Sequence, residues 1–408
     1  MREAAFENRQ PQPLEVVDRA KRPRILHVCT RYLKGGSERR IRDIVSALPE
    51  FEHELLVGAD SDVELARQQS GASRVAVLEP LSREVSPAKD GKAAASLWRL
   101  LRRGRYAVIV THQSKAGVLV RLVAPPRAPV VQSLSMASFG PGYPRSQSVL
   151  FHVIERLLAR RAAGVCAVGA DLASRYVGIG VPAARMHVVR SGVPLPPEPI
   201  HRETARRRLR DRCGVADGRP LLAYVGSLER RKNVLSLPDI LATLVSRVDS
   251  RPFLLVLGDG PDRAALADGI AARGLSEDAA LLGHVANPAD VLEAIRAADV
   301  LLLLSSAEGL PQVLVQGAAT GTPFVAYDVD GVRELIGLGA AGEAVPLGDT
   351  GAAARAAERL LLTDAGREAV ADLSSWSQQS IRAAYRSLIS SLLPRLVVAG
   401  EAPHGGSA

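Results

Sequence analysis

The sequence predicts an α/β protein made of two doubly wound, Rossmann-like domains that face each other across a cleft. Apolar runs of strand length alternate with helix-length segments along the chain, which is the pattern of repeated strand–helix units. The runs are continuous, as expected for parallel strands that helices cover on both faces. The pattern stops at a stretch rich in proline and charge, residues 194–220, and then starts again, so it occurs twice.

Ten runs of this kind predict the strands. Those of the first half are Arg24–Val28, His53–Gly58, Ala107–His112, Pro129–Leu134 and Gly164–Gly169. Those of the second half are Leu221–Gly226, Phe253–Gly258, Ala279–Gly283, Val300–Leu304 and Pro323–Tyr327. Glycine, proline or polar residues bound most of these runs, and such residues end strands.

The length of 408 residues is too great for one ordinary core, which also favours two domains. The predicted segments, in chain order, are a disordered tail (1–23), a first Rossmann-like domain (24–193), a linker that ends in a surface helix (194–220), a second Rossmann-like domain (221–373), an amphipathic helix (374–396) and a frayed tail (397–408).

The composition is that of a globular protein, with 47% hydrophobic and 23% charged residues. No apolar run approaches the roughly 20 residues of a membrane helix, and the polar start lacks the apolar segment of a secretory signal. Three scattered cysteines form neither a disulfide framework nor a metal motif. We therefore expect a cytoplasmic protein with no metal site and no cofactor.

Charge is distributed unevenly between the two halves. Residues 1–200 carry 30 Lys+Arg and 18 Asp+Glu, whereas residues 201–408 carry 22 and 25. A basic first domain is consistent with an anionic acceptor or a membrane face as its partner, although an ordinary solvated surface explains it equally well. Nucleic acid is not expected, because aromatic residues make up only 4% of the chain and no binding module is visible.

Candidate site residues follow the predicted strands, because ligands of doubly wound domains bind at the carboxyl ends of strands. In the first half, Gly35 and Gly36 allow a tight turn and a close backbone approach to a ligand. His112 and Lys115, in "THQSKAG", are predicted to face the cleft. An ordinary turn and a structural histidine are the alternatives.

In the second half, "VGSLERRKN" places a basic triplet, Arg230, Arg231 and Lys232, in a loop at a strand end, where it could hold a diphosphate. Gly283 and His284 end a later strand and either line the cleft or lie in a loop. Solvated charge is the alternative for the basic residues.

The stretch "SSAEGLPQVLVQGAATGTP" follows a buried strand and places Glu308 at the entrance of a short helix. Pro311 suits a helix start, and Gln312 and Gln316 lie on one helix face. The amides near residues 310–313 present the positive end of the helix dipole. A carboxylate beside such amides suits a ligand that carries hydroxyls and phosphates, but Glu308 could also be a plain first-turn acid.

Taken in order, these motifs resemble the retaining glycosyltransferases of the GT-B fold, which carry two glutamates separated by seven residues. The resemblance covers residues 24 to 390 and rests on five motifs, namely "GGSE", "HQSKAG", "VRSGV", "VGSLERRKN" and "SSAEGLPQVLVQGAATGTPFVA". It implies transfer of a sugar from a nucleotide sugar to a hydroxyl acceptor with retention, without a metal. UDP is the favoured nucleotide and GDP the alternative.

The resemblance also implies roles for individual residues. Glu308 and Lys232 are the catalytic residues: Glu308 contacts donor-sugar hydroxyls, and Lys232, with Arg231, holds the diphosphate. Gln316 faces the ribose. The other donor-binding residues are Gly35, Gly36, Ser227, Gly283, His284, Gly309, Leu310, Pro311 and Gln312. The acceptor-binding residues are His112, Lys115 and Ser135.

Three positions depart from the family pattern. Gln316 replaces the second glutamate, Ser227 replaces an arginine of the phosphate loop, and Ser135–Met136 replaces a His-Gly pair. A catalytically degenerate partner of another transferase therefore stays open as an alternative, as does a nucleotide-sugar epimerase. The partners implied are a nucleotide-sugar donor and a hydroxyl acceptor that is anionic or membrane-linked.

Overall fold

A computed structural model describes residues 22–33, 36–140, 142–213, 218–363 and 371–393. The predicted N-terminal tail lies outside these residues except at positions 22 and 23, and the predicted C-terminal tail lies wholly outside them. Gly35 also lies outside the described residues. Within the described residues the strands form two parallel sheets, one in each half of the chain, with helices between successive strands. This arrangement confirms the predicted fold class.

The first sheet has the strand order β3-β2-β1-β4-β5-β6-β7. Its strands are β1 (Arg24–Cys29), β2 (Glu52–Gly58), β3 (Arg74–Leu78), β4 (Val108–His112), β5 (Val130–Leu134), β6 (Gly164–Ala167) and β7 (Met186–Val188). The helices of this half are α1 (Gly36–Ala47), α2 (Val63–Gln69), α3 (Pro87–Arg103), α4 (Ser114–Val123), α5 (Arg145–Leu158) and α6 (Ala170–Gly178). The strand order reverses between β1 and β4, which is the switch point of a doubly wound sheet.

The second sheet has the order β10-β9-β8-β11-β12-β13. Its strands are β8 (Leu221–Val225), β9 (Phe253–Leu257), β10 (Ala279–Gly283), β11 (Val300–Leu303), β12 (Phe324–Tyr327) and β13 (Gly342–Val345). The helices are α7 (Arg202–Cys213), α8 (Leu237–Arg247), α9 (Arg263–Ala271), α10 (Pro288–Ala297), α11 (Gln312–Thr320), α12 (Val332–Gly337), α13 (Thr350–Leu362) and α14 (Gln378–Leu392). Here the switch point lies between β8 and β11.

Three strands, β3, β7 and β13, were not predicted from the sequence. They lie at the outer side of a sheet and are less buried than the central strands. The sequences of β7 and β13 lack the continuous apolar runs that marked the central strands, whereas β3 has a short one, Val75–Leu78, that we did not predict as a strand.

Two apolar layers cover the second sheet. Leu301 and Leu303 of β11 pack on one side, with the buried residues of α10 and α11, and Leu302 packs on the other side, with those of α8 and α13. The alternation follows from the two-residue period of a strand. A central strand is thus buried on both faces, which fixes the positions of the loops at its carboxyl end.

The chain crosses between the sheets twice. The predicted linker 194–220 contains α7, which packs on α10 of the second half. The predicted C-terminal helix is α14, and it returns to the first half, where Ile381 and Tyr385 pack against Ile25 and Ile44. No helix in the described ranges is long and apolar enough to cross a membrane.

Candidate active site in the cleft between the two sheets

The candidate site lies at the switch point of the second sheet. The loops that follow β8 and β11 diverge there, because the chain leaves these adjacent strands toward opposite faces. Lys232 belongs to a single 3-10 turn, Arg230–Lys232, after β8. Asn233 then adopts a left-handed conformation with φ 49° and donates from Nδ2 to Leu304 O at 2.9 Å. This hydrogen bond ties the basic loop to the end of β11.

The structure brings together three of the predicted residues at this point. Lys232 Nζ donates to Glu308 Oε1 at 2.5 Å, and Arg231 Nη1 lies 3.6 Å from the same oxygen. Arg231 Nη1 also donates to Ala307 O at 2.9 Å. One carboxylate and two cations therefore converge at the switch point of this sheet.

The first half of the chain covers these residues. Gly309 is packed so closely that a Cβ built on it would lie 2.0 Å from Ser135 O. A Cβ on Gly142, whose φ is +84°, would lie 2.1 Å from Ser306 O. Neither position accommodates a side chain without displacing backbone, so these glycines permit the close approach of the two halves.

Little space remains in the covered site. A cavity of about 40 Å³ lies between Met136 and Tyr143 of the first half and Glu308 and Asp330 of the second. Such a volume holds about one or two water molecules. Burial raises the pKa of Tyr143, whose hydroxyl donates to Ala137 O at 2.7 Å. A larger ligand enters only if the two halves separate.

The helix that follows Glu308 begins one residue later than predicted, because Pro311 is its N-cap, with extended backbone, and Gln312 is its first residue. Gln316 is 8% exposed, and its Nε2 donates to Pro194 O in the interdomain connection at 3.2 Å. Leu310 packs against apolar residues of both halves. The side-chain amide of Gln316 thus contacts the connection between the halves. Its contact with the ribose stays a prediction.

The other predicted donor residues lie farther out along the same edge. Ser227 is exposed, and its hydroxyl donates to Glu229 Oε1 at 3.0 Å. Gly283 ends β10, which is separated from β8 by β9, and has a φ of +73°. The exposed His284 follows it. In the first half, Gly36 is the first residue of α1.

No group of three or more His, Cys, Asp or Glu side chains in the described parts of the chain has the geometry of a metal site. The cations that the structure places beside Glu308 are Lys232 and Arg231.

Both halves of the chain match families of known proteins. Residues 205–375 match the family described as glycosyl transferases group 1, and residues 35–192 match the glycosyl transferase 4-like domain. The chain belongs to the group 1 glycosyl transferases.

Curated relatives resemble this group 1 transferase over part of their length. An alpha-D-kanosaminyltransferase of Streptomyces kanamyceticus is 33% identical over 192 residues, which are 44% of this chain and 49% of that protein. A 2-deoxystreptamine N-acetyl-D-glucosaminyltransferase of Streptomyces fradiae is 31% identical over 263 residues, 62% of this chain and 60% of that one. The chain thus spans about half to three-fifths of the length of these relatives.

Solved structures show the same fold at lower identity. The Anabaena protein Alr3699/HepE, crystallised in complex with UDP, aligns with 92% of this chain and 99% of its own, with a TM-score of 0.69 and 20% identity. A sucrose-phosphate synthase of Thermosynechococcus elongatus aligns with a TM-score of 0.67 and 18% identity over 93% of this chain and 100% of its own.

One residue predicted to bind the acceptor does not face the cleft. His112 is 2% exposed, and its Nε2 lies 3.1 Å from His27 Nδ1, so the prediction that it faces the cleft is corrected: the imidazole lies inside the first sheet. Lys115 forms an ion pair with Asp90 at 2.5 Å and also donates to Glu84 O, so its ammonium group is bound at the start of α3. The acceptor-binding role of Lys115 stays a prediction. Ser135 does reach the cleft, through its carbonyl.

His112 is the end of a chain of three buried imidazoles. His53 Nε2 lies 2.9 Å from Leu48 O, so it carries the proton and its Nδ1 accepts from His27 Nε2 at 3.0 Å. His27 Nδ1 must then accept from His112 Nε2. Burial, with a smaller effect of Arg40, lowers the pKa of His112 to about 3. All three imidazoles are consequently neutral at ordinary pH.

Sequence reasoning missed a set of polar contacts that joins the two halves beside the site. Glu334, on α12, accepts from the amide of Ala170 at the start of α6 at 2.7 Å. Asp171, on α6, accepts in return from the amide of Gly331 at the start of α12 at 2.9 Å. Each helix start thus receives a carboxylate from the opposite half, as the helix dipole favours. We name these reciprocal contacts the interdomain clasp.

Two arginines strengthen the interdomain clasp. Arg190 Nη2 pairs with Glu334 at 2.5 Å, and Arg175 pairs with Asp330. The residues of each contact lie more than a hundred positions apart, so no local sequence pattern could have indicated them.

Proposed function

We propose that this chain transfers a sugar from a nucleoside diphosphate sugar to a hydroxyl group of an acceptor, with retention of configuration at the anomeric carbon. The observation that carries the proposal is the meeting of Lys232, Arg231 and Glu308 at the switch point of the second sheet. Family membership supports the reaction class, and retention is what the two-glutamate motif implies.

The leaving group of the proposed reaction is a nucleoside diphosphate, and its developing charge must be stabilised. As the bond between the anomeric carbon and the diphosphate breaks, negative charge grows on the phosphate oxygens. Arg231 is held by its hydrogen bond to Ala307 O, and Lys232 lies close by on Glu308, so both cations are near the place where that charge develops. In this proposal the two side chains supply the charge that a metal ion would otherwise provide.

Glu308 positions the donor sugar by accepting hydrogen bonds from its hydroxyls. Lys232 now donates to this carboxylate, so donor binding must shift the ammonium group toward the diphosphate. The acceptor hydroxyl then attacks from the face that the diphosphate leaves, and its proton passes to the departing phosphate oxygen. We assign no covalent intermediate, because no nucleophile stands out.

UDP is the nucleotide that we favour. The Anabaena protein of the same fold was crystallised with UDP and with UDP-glucose. An Escherichia coli relative that is 25% identical over 328 residues, 77% of this chain and 81% of its own, is named for transfer from UDP-Gal.

The acceptor is proposed to be anionic or linked to a membrane, and α5 supports contact of the first half with an anionic lipid surface. One face of α5 carries four exposed apolar residues, namely Val149, Leu150, Val153 and Leu157. The last three follow the first by one, four and eight positions, and between 48% and 75% of each residue is exposed. Basic residues adjoin this face at Arg145, Arg156, Arg160 and Arg161, whereas Glu155 is buried against Arg121. This is the composition of a helix that lies in a membrane interface.

The helix α5 also directly follows the segment 136–143 that covers the site, which would bring a membrane-linked acceptor close to the donor. Cosedimentation with vesicles of anionic lipid, compared with vesicles of phosphatidylcholine, tests this contact. Binding to neither kind of vesicle would contradict it.

The proposed function is tested by screening UDP and GDP sugars for binding and then incubating the best donor with candidate acceptors. We expect a glycoside by mass spectrometry, with the anomeric configuration of the donor by NMR. An epimeric nucleotide sugar formed without acceptor would favour the epimerase. Donor binding without transfer until a second protein is added would favour the degenerate partner.

A further inference from the structure

A second cavity, of about 410 Å³, opens at the edge of the first sheet that lies opposite the cleft. Arg24 and Arg74, which line it, are the first residues of β1 and β3, so the cavity lies at the amino ends of the strands. The cleft residues lie at carboxyl ends. The volume falls within the roughly 300–1,000 Å³ of small-molecule sites.

The floor of this cavity is apolar. Leu26 and Leu56, which are 2% and 7% exposed, belong to the face of the sheet that packs against α3 and α4. Ala76 and Leu100 complete the floor. The last turn of α3 ends here, and a Cβ on Gly104 would lie 2.3 Å from the Tyr106 ring.

The rim of the cavity is basic. Its lining contains one carboxylate, Glu54, which is already engaged: it accepts from Arg24 Nη1 at 3.0 Å and from the Tyr106 hydroxyl at 3.1 Å. Burial and the nearby Glu54 raise the pKa of Tyr106 to about 12, so the hydroxyl keeps its proton and remains a donor. Arg24 and Glu54 therefore neutralise each other.

Three further arginines line the same cavity without a counter-ion. Among the described residues, no carboxylate lies within 4.0 Å of the guanidinium groups of Arg74, Arg99 or Arg103. The C-terminal end of a helix dipole favours cations, and this effect explains Arg103 in the last turn of α3 but not Arg99, which lies before that turn. It does not explain Arg74, which comes from β3. Like charges that converge on one cavity repel one another unless an anion lies between them.

We propose that this cavity is a second ligand site, which binds a phosphate monoester. The phosphate lies among Arg74, Arg99 and Arg103, and the apolar part of the ligand lies on Leu26 and Leu56. Guanidinium groups match the paired oxygens of a phosphate, and the three of them are enough to balance the roughly two negative charges of a phosphate monoester. A free phosphate ester and a lipid headgroup share this chemistry. The site is separate from the proposed transferase cleft and does not depend on it.

Calorimetric titration tests the second site on the whole chain saturated with UDP, so that the cleft is occupied. Two probes are used, namely glycerol 3-phosphate and dihexanoyl phosphatidic acid. They carry the same phosphate monoester and differ by the acyl chains, and the second is kept below its micellar concentration. The variant is Arg74→Gln/Arg99→Gln/Arg103→Gln. The matched control is Arg67→Gln/Arg127→Gln/Arg185→Gln, which removes the same charge from exposed positions of the same half.

We expect saturable binding to the wild type and to the control, and at least about a hundredfold loss in the cavity variant, since several charge-assisted hydrogen bonds disappear. Tighter binding of the acylated probe, by about tenfold or more, assigns a lipid headgroup, and equal binding assigns a free phosphate ester. Absence of saturable binding, or an equal loss in the control and the cavity variant, overturns the proposal. An unchanged urea unfolding midpoint shows that the variant is folded.

Discussion

Glu308 is a carboxylate with 13% of its side chain exposed, and it accepts from Lys232 in a covered cleft. A buried charge of this kind needs close partners, because its hydration is lost. Lys232 serves as the partner in the present arrangement, and sugar hydroxyls would serve when a donor is bound. The ion pair between Lys232 and Glu308 therefore stabilises the carboxylate at the position where we propose that it binds the donor sugar.

The first prediction concerns Glu308 and Gln316. Glu308→Gln keeps the shape but removes the charge, so we expect turnover to fall about a hundredfold or more, the loss that follows misplacement of a substrate by about 1 Å. UDP should still bind, because the diphosphate contacts are intact. Steady-state kinetics with the identified donor and titration with UDP measure the two effects.

Gln316→Glu is the companion variant. It loses the bond to Pro194 O but offers a carboxylate to the ribose, so we expect donor affinity to change by no more than about 1–2 kcal/mol. An inactive wild type that this change makes active would contradict the role we give to Gln316.

The second prediction concerns the buried imidazoles. Burial lowers the pKa values of His27 and His53 below the usual value, as it does for His112. Below about pH 6.5 these histidines bind protons in the unfolded chain but stay neutral in the folded chain. The free energy of unfolding is therefore highest above this pH and decreases as the pH falls. A histidine that stays neutral over this range, as His112 does with its pKa of about 3, contributes up to about 1.4 kcal/mol per pH unit.

Urea unfolding at pH 7.5 and 5.5 measures this loss. We expect His27→Gln to reduce the difference between the two pH values, whereas His201→Gln, at an exposed position, should leave it unchanged. Equal pH dependence in the wild type and the His27 variant would contradict the effect.

At the scale of elements, the helix starts of α6 and α12 explain how the two halves meet. Asp171 and Glu334 each satisfy a backbone amide of the opposite half, and Arg190 holds Glu334 from the side. Amides at helix starts lack partners within the helix, so carboxylates are effective there. The interdomain clasp is polar throughout, which suits contacts that must break and form again in each catalytic cycle.

The third prediction concerns this clasp. Asp171→Asn/Glu334→Gln weakens two charge-assisted hydrogen bonds and the pair with Arg190, so the ligand-free chain should favour a more open arrangement. Small-angle X-ray scattering should give a larger radius of gyration than for the wild type. The control Asp239→Asn removes an exposed ion pair with Arg273 within the second half and should leave the radius unchanged. Identical scattering of the clasp variant and the wild type would count against the clasp.

The sequence predicted the central elements well, because buried parallel strands have continuous apolar runs. It placed Lys232 and Glu308 at strand ends, and the topology brings those ends together at the switch point. It could not assign His112 correctly, since a strand-end histidine has the same local pattern whether it faces a cleft or a neighbouring imidazole. The partners of His112 lie on other strands, and only the strand order β2-β1-β4 brings them together.

At the scale of the whole molecule, the two halves are joined by two chain crossings and by the clasp, and Arg190 of the clasp lies next to the second crossing. The connection at Pro194 and the return near Trp376 join the halves covalently, and Arg190 lies over the Trp376 ring at 4.4 Å. The site between them has a cavity of about 40 Å³, which is too small for a nucleotide sugar. We infer that the halves separate to admit the donor and close to exclude water during transfer.

The most direct measurement of the central claim is a calorimetric titration of UDP into the wild type, Lys232→Ala and Arg230→Ala. Both variants remove one cation from the same 3-10 turn, but the side chain of Arg230 is exposed whereas Lys232 contacts Glu308. Loss of a charge-assisted hydrogen bond should weaken UDP binding to Lys232→Ala about tenfold or more. Arg230→Ala should bind nearly as tightly as the wild type. Equal affinity of the wild type and Lys232→Ala would show that the nucleoside diphosphate does not bind at this switch point.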